Sequence, residues 1–208
     1  MKFESILLDI DGTLWDSRAL VAEGWNRALA RYDSGREAAT VAEITPLFGK
    51  TQKEIADWFL PHLPPERRYW LIDKCFAGEN EVLAENPCQI LYPGVAETIQ
   101  KLARSHRLFL VSNCERAYLN LFLEKTGFFP YFTDHLCCGD TNKSKAENIR
   151  ALLEKWEIAS GVYVGDTQTD QQSAMQAGIS FLWASYGFGK SDCYLEKLTA
   201  FSEILAYV

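Results

Sequence analysis

Two carboxylates two residues apart, Asp9 and Asp11, follow the apolar run Ile6-Leu7-Leu8 and precede Gly12-Thr13. The run has the length and composition of a short buried strand. Both acids therefore fall where a strand ends, and Gly12 lets the chain turn at once. Ligands in open α/β sheets bind at the carboxyl ends of strands. Like charges this crowded raise each other's pKa unless a proton or a cation intervenes. A second acidic pair, Asp166 and Asp170, closes another apolar run far along the chain. The two pairs are expected to meet around one divalent cation.

Bringing them together requires a sheet. Strand signals at residues 5–10, 108–111, 135–138, 162–164 and 180–183 alternate with helical patterns, as in a parallel sheet covered on both faces. Val95, Ile99 and Leu102 share a face of a helix opened by Pro93-Gly94, and Tyr118, Leu121 and Phe122 mark another that Gly127 ends. Ile149, Leu152, Leu153 and Trp156 mark a third, with Ser144 as its N-cap. The first connection is the anomaly, because roughly a hundred residues lie between the first two strands, far more than one crossover helix needs. Its patterns are helical: Val21, Trp25, Ala28, Leu29 and Tyr32; then Val41, Ile44 and Phe48; then Ile55, Trp58 and Phe59; then Tyr69, Ile72 and Phe76. Pro61, Pro64 and Pro65 break the middle. The predicted fold class is α/β, a three-layer Rossmann-like parallel-sheet core (residues 1–14 and 90–208) with a small all-α cap (residues 15–89) inserted after the first strand. The alternative is a set of extra helices packed on the core.

A chain of 208 residues suits one large domain, or one domain with a small insertion. With 48% hydrophobic and 24% charged residues it has the make-up of a folded soluble protein. The net charge of −7 argues against a nucleic-acid partner. It leaves a phosphate substrate open, since a cation and one or two lysines reverse the local field. No apolar stretch approaches the ~20 residues of a membrane span, and Met1-Lys2-Phe3-Glu4 enters the first strand without an apolar leader. Cys75, Cys88, Cys114, Cys137, Cys138 and Cys193 contain no CxxC spacing and are expected to be free thiols in a reducing cytosol. Cys137-Cys138 is expected as small apolar strand packing, and Cys114 stands out only because it lies two residues past Ser112. The expectation is a cytoplasmic protein, a monomer or weak homo-oligomer, without a membrane partner.

Asp9-Ile10-Asp11-Gly12-Thr13-Leu14 resembles the first motif of the haloacid dehalogenase superfamily, most of whose members are phosphatases. Val111-Ser112-Asn113 resembles the second motif, Lys143 or Lys145 the third, and Gly165-Asp166-Thr167-Gln168-Thr169-Asp170 the fourth. Ala174 and Ala177-Gly178 after it fit as well, so the resemblance covers most of the core and leaves the insertion uncovered. It implies an Mg2+-dependent phosphomonoester hydrolase that works through an aspartyl-phosphate. Asp9 would be the nucleophile and touch the metal; Asp11 would be general acid and then base, its backbone carbonyl on the cation. Gly12, Thr13, Ser112, Asn113 and the lysine would hold the phosphate. Such chemistry needs an in-line nucleophile, a cation and donors around the equatorial oxygens. Mg2+ takes oxygen ligands and few direct carboxylates, so Asp166 would be a direct ligand. Asp170 would reach the metal directly or through water, or would cap the following helix. Lys145 fits the spacing of phosphoserine-phosphatase-like members, while Lys143 suits branches with a Lys before a Pro; no Pro is present, which favours Lys145.

Gly139-Asp140-Thr141 repeats the triplet at 165–167 but lacks the later Asp, and is expected as a loop at the edge of the site. His62, His106 and His135 have no triad or metal spacing. Gly49-Lys50-Thr51, in a turn of the insertion, offers a cation and amides to a second anionic group, against the plainer reading of a solvated lysine. The insertion's position resembles the phosphoglycolate-phosphatase-like and β-phosphoglucomutase-like branches, and Ala184-Ser185-Tyr186-Gly187-Phe188-Gly189 the former. A small phosphate ester, phosphoglycolate-like or a sugar phosphate, is the implied substrate. The rivals are a phosphosugar mutase, a metal-free dehalogenase, a receiver domain and a non-enzymatic phosphoacceptor or binding protein. The dehalogenase has no use for Asp11 or a metal-binding pair, and the receiver should be shorter with a central acceptor.

Overall fold

The protein was analysed as a computed structural model that describes residues 3–87 and 89–208; Met1, Lys2 and the expected free thiol Cys88 lie outside the described residues. Six strands form one parallel sheet: β1 (Ser5–Leu8), β2 (Arg107–Ser112), β3 (Asp134–Cys137), β4 (Gly161–Gly165), β5 (Ser180–Ala184) and β6 (Glu196–Leu198). Their order is β3-β2-β1-β4-β5-β6. From β1 the chain builds outward through β2 and β3, then returns to the other side of β1 to lay down β4. A crevice opens outside the strand ends at such a reversal. Leu8 lies level with Leu110 on one side and Val164 on the other, so the residues just past β1 emerge between the ends of β2 and β4.

Both faces of the sheet are buried, and the strands accordingly read as continuous apolar runs. Leu7, Phe109, Val111, Tyr163 and Phe181 pack with Ile149 and Leu152 of α8 (Lys145–Lys155) and Ala174 of α9 (Gln168–Ala177). Ile6, Leu8, Leu108, Leu110, Val162, Val164 and Leu182 point the other way and are equally buried. Each such side chain contributes roughly 1.5–3 kcal/mol of burial. That is the reserve against which a polar site at the sheet edge must be set. The architecture is the α/β Rossmann-like class expected.

Two details differ from the sequence pattern. The first strand ends at Leu8 rather than Ile10, because the Ile10 carbonyl accepts the amides of Thr13, Leu14 and Trp15 and folds residues 10–15 into a turn. β6 was not foreseen: of Glu196-Lys197-Leu198 only Leu198 is buried, the charged profile of an edge strand. The helices of this part include α5 (Val95–Leu102), α6 (Arg116–Thr126) and the single turn α7 (Cys138–Thr141). Gly127, left-handed at φ 66°, closes α6, and Ser144 opens α8 with a capping box to Glu147.

The chain divides into two compact units, Met1–Asp16 with Ile90–Val208, and Ser17–Gln89. Trp15 belongs to the first: it bridges to Leu91, and the Tyr92 amide donates to the Leu14 carbonyl. The second unit contains α1 (Arg18–Arg31), α2 (Val41–Ile44), α3 (Gln52–Phe59) and α4 (Pro65–Glu85). Gly24 of α1 meets Gly78-Glu79 of α4 so closely that a Cβ there would overlap the opposing backbone. Pro61, Pro64 and Pro65 break the stretch between α3 and α4 as expected, and Pro65 opens α4, since the first helical residue needs no amide hydrogen. Trp58, grouped by spacing with Ile55 and Phe59, is 55% exposed, and Ala56 takes its place on the buried face. Among the described residues no helix is long and apolar enough to cross a membrane.

Candidate active site

The residue after β1, the residue after β4 and the first turn of α9 bring three carboxylates together. One oxygen each of Asp9, Asp166 and Asp170 lies within 4.8 Å of the others, and all three residues are buried. Their surroundings differ. Asp170 is saturated: Oδ2 accepts the Thr167 amide (2.9 Å), the Thr167 hydroxyl (2.6 Å) and the Asp166 amide (3.2 Å). Its Oδ1 accepts Lys145 Nζ (2.5 Å); the Tyr163 hydroxyl, which donates to the Val111 carbonyl at 2.8 Å, lies 3.4 Å from it. Thr167 and Asp170 thus form the capping box of α9. Asp166 is half satisfied: Oδ2 takes the amides of Phe188 (2.7 Å) and Gly189 (3.2 Å), while Oδ1 is buried without a hydrogen-bond partner.

Glycine is required where the chain presses on this carboxylate. Gly12 has φ +75°, and a Cβ on either Gly12 or Gly187 would overlap Asp166. The close approach of residues 187–189 also supplies the two amides that hold Asp166.

Lys145 is 3% exposed and reaches Asp9 Oδ1 (3.0 Å) as well as Asp170 Oδ1. Burial pushes its pKa down; Asp170 and Asp9 outweigh that and hold it well above the ordinary value. Asp9 is pushed up to about 7, first by burial and further by Asp170 and Asp11, against the pull of Lys145. Asp166 is raised well above the carboxylate range by burial, then by Asp170 and Asp9. Burying each ion costs several kcal/mol, and one ammonium does not balance three acids. The orphaned Asp166 Oδ1, the surplus negative charge and an all-oxygen donor set fit a hard divalent cation.

Asp11 lies beside this cluster, its carboxyl turned to two aromatic donors. Trp15 Nε1 (2.9 Å) and the Tyr118 hydroxyl (2.5 Å) both donate to Oδ1. Ser112 ends β2, buried, with Oγ accepting the Cys114 amide at 3.4 Å. The hydroxyl of buried Thr13 has no hydrogen-bond partner. Asn113 Oδ1 accepts the Cys138 thiol at 3.1 Å. Lys143 is exposed.

Cys137 ends β3, but Cys138 opens α7 and is half-buried, not strand packing as the sequence suggested; its thiol reaches Asn113 and the Lys143 carbonyl. Asp140 sits in the same helical turn rather than in a loop, paired with Arg116 and accepting the Cys137 thiol (3.2 Å). Cys114 shares a hydrogen bond with Cys137, and that bond and burial push its thiol well above its ordinary pKa, the environment of an inert cysteine. In the other unit Thr51 is spent on the capping box of α3 with Glu54. Sequence reasoning did not single out Trp15, Tyr118, Tyr163 or the Phe188 and Gly189 amides for the site. The closely spaced glycines of 187–189 were the available signal for the last two.

The model of the haloacid dehalogenase-like hydrolases matches residues 6–184. The plasmid-encoded phosphoglycolate phosphatase of Cupriavidus necator is 28% identical over 196 residues, covering 88% of this chain and 81% of that protein. The phosphoglycolate phosphatase of Synechococcus elongatus is 27% identical over 188 residues, covering 89% and 85%. Among solved structures, a haloacid dehalogenase-like hydrolase of Streptococcus pneumoniae superposes with a TM-score of 0.85 at 19% identity, covering 99% of this chain and 98% of that one.

Proposed function

We infer that this phosphatase, which belongs to the haloacid dehalogenase-like hydrolase family, uses Mg2+ to hydrolyse a small phosphorylated metabolite, phosphoglycolate or a sugar phosphate, through an aspartyl-phosphate. The observation that carries the reading is the buried, partnerless Asp166 Oδ1 grouped with Asp9 and next to buried Lys145. Asp9, Asp166 and the Asp11 backbone carbonyl would hold the cation, which when bound neutralises phosphate oxygens. Asp170, with both oxygens already engaged, would act through Lys145 and the α9 cap, reaching the metal at most through water.

In the first half-reaction the Asp9 carboxylate attacks phosphorus. The ester P–O bond breaks, and its electron pair leaves on the alcohol oxygen, which takes a proton from Asp11. In the second, Asp11 removes a proton from water as the water oxygen attacks phosphorus, releasing inorganic phosphate and restoring Asp9. Lys145 and the Ser112 hydroxyl are the donors for the phosphoryl oxygens as negative charge spreads over them, with the Thr13 hydroxyl and the Gly12 and Asn113 backbone lining the same turn ends.

The test is a screen of small phosphate esters with Mg2+. Wild type should release phosphate, EDTA should stop it and Mg2+ restore it, and Asp9→Asn should be inactive yet folded. Mg2+ should also raise the unfolding temperature of wild type but not of Asp166→Asn. EDTA-indifferent turnover, or an active Asp9→Asn, would refute the reading.

A further inference from the structure

We propose that Trp15 and Tyr118 are positioning residues that fix the Asp11 carboxyl so that Oδ2 carries the proton delivered to the leaving group. This rests on the reading of Asp11 as general acid. The Trp15 indole N–H and the Tyr118 hydroxyl converge on one atom, Asp11 Oδ1, at 2.9 and 2.5 Å. A carboxyl oxygen has two lone pairs, and an indole nitrogen can only donate. With the Tyr118 hydroxyl donating beside the indole, both lone pairs of Oδ1 are taken and a protonated Asp11 places its hydrogen on Oδ2. As the ester P–O bond breaks, that Oδ2 proton passes to the departing oxygen.

Neither donor is free to move. Trp15 is 0% exposed, bridges to Leu91 through its backbone and accepts the Gly12 amide at its carbonyl (3.0 Å). Its ring stands edge-on to Tyr118 (centroids 5.7 Å apart, 82°) and to Phe122 (4.9 Å, 87°). Tyr118 is buried at the start of α6, the helix that also carries Phe122. The rings of Trp15, Tyr118 and Phe122 pack edge to face, and the Trp15 N–H and Tyr118 O–H are turned to Asp11. Phenylalanine at 118 would keep the ring packing, so the Tyr118 O–H is what packing leaves unexplained; the Trp15 indole fills more volume than a phenyl ring, and its N–H is the part that packing does not use. Locked rotamers behind a reacting group are what general acid catalysis needs.

A proton donor matters most when the departing oxygen is strongly basic. An alkyl phosphate needs it; p-nitrophenyl phosphate, whose phenolate leaves unaided, needs it far less. The experiment measures kcat on both for wild type, Tyr118→Phe, Trp15→Phe and Asp11→Asn with saturating Mg2+, beside the unfolding temperature of each. General acids contribute about 10²–10⁴-fold. We expect the alkyl-to-aryl ratio of kcat to fall about tenfold or more in each Phe variant and further in Asp11→Asn. A folded Tyr118→Phe and Trp15→Phe that slow both substrates equally, or neither, would overturn the positioning role. Should Asp11→Asn itself leave the ratio unchanged, the general-acid reading fails instead. If one Phe variant does not fold, the other decides.

Discussion

Replacing Lys145 by Met, close in length and uncharged, isolates the ammonium at the centre of the site. Lys145 Nζ bonds Asp9 Oδ1 at 3.0 Å and Asp170 Oδ1 at 2.5 Å from a side chain that is 2% exposed. Removing one member of a buried ionic pair leaves its partners uncompensated and costs about 3–5 kcal/mol. For a chain of this size that is a fall in Tm on the order of 10 °C. If the ammonium also meets charge developing on the phosphoryl oxygens, kcat falls about 10²–10³-fold. The two effects separate on adding Mg2+: the cation neutralises the same carboxylates and recovers part of the stability, while turnover stays low. Urea unfolding with and without Mg2+, alongside kcat on an aryl phosphate, reads both. Lys143→Met is the control, because Lys143 is exposed and its loss should change stability by about 0.5 kcal/mol or less. A fully active Lys145→Met, or a hundredfold loss in Lys143→Met, would refute the assignment of the lysine.

Gly12→Ala should cost about 1–2 kcal/mol for a side chain at φ +75° and, because its Cβ collides with the Asp166 carboxylate, should abolish the rise in Tm that Mg2+ gives wild type. A thermal melt with and without Mg2+ checks it, and an undiminished shift would show that Asp166 does not bind the ion. Asp134→Asn tests the far side of the sheet. Burial pushes Asp134 up, but Lys155 Nζ (2.7 Å), Trp156 Nε1 (2.8 Å) and the His135 amide (2.9 Å) outweigh it and hold its pKa below the usual carboxylate value. A pKa lowered by folding adds stability above the unfolded value and loses it as pH falls through the folded one. Asp134→Asn should therefore be about 1–2 kcal/mol less stable at neutral pH, with the difference vanishing in acid; urea midpoints across that range decide.

The parts of the site that could be read from the sequence are those the backbone pattern fixes. Asp9, Ser112 and Asp166 each end an apolar run, and a parallel sheet puts such ends on one edge whatever the side chains do. Lys145 was favoured by the spacing that the family resemblance implies, with Ser144 read as the N-cap just before it, and the capping box of Ser144 with Glu147 is found there. What escaped has a different origin. Trp15 sits at the head of a helical stretch in sequence, yet the three amides gathered by the Ile10 carbonyl and the bridge to Leu91 tie it to the sheet unit. Tyr118 matched a helix face by period, and periodicity reports that a ring is buried, not which acid its hydroxyl meets 107 residues away. Cys138 was misplaced because Cys137-Cys138 looks like a strand from composition alone, whereas the chain turns helical right after Cys137.

The sheet order explains why the acids must be unequal. β1 is the pivot between the two halves of the sheet, so Asp9 stands beside the end of β4, its amide still paired with Val164 (2.9 Å). Asp166 and Asp170 arrive together on the turn from β4 into α9, and the motif alone leaves the part played by Asp170 open. Their hydrogen bonds do not. Asp170 cannot become a direct metal ligand without releasing Lys145 or the cap of α9, each of which folding has already used. Asp166 can, because two amides anchor one of its oxygens and nothing satisfies the other. Leaving that oxygen buried and bare costs about 1–3 kcal/mol. Such a cost, at the reversal of the sheet order, is one that the proposed cation would offset.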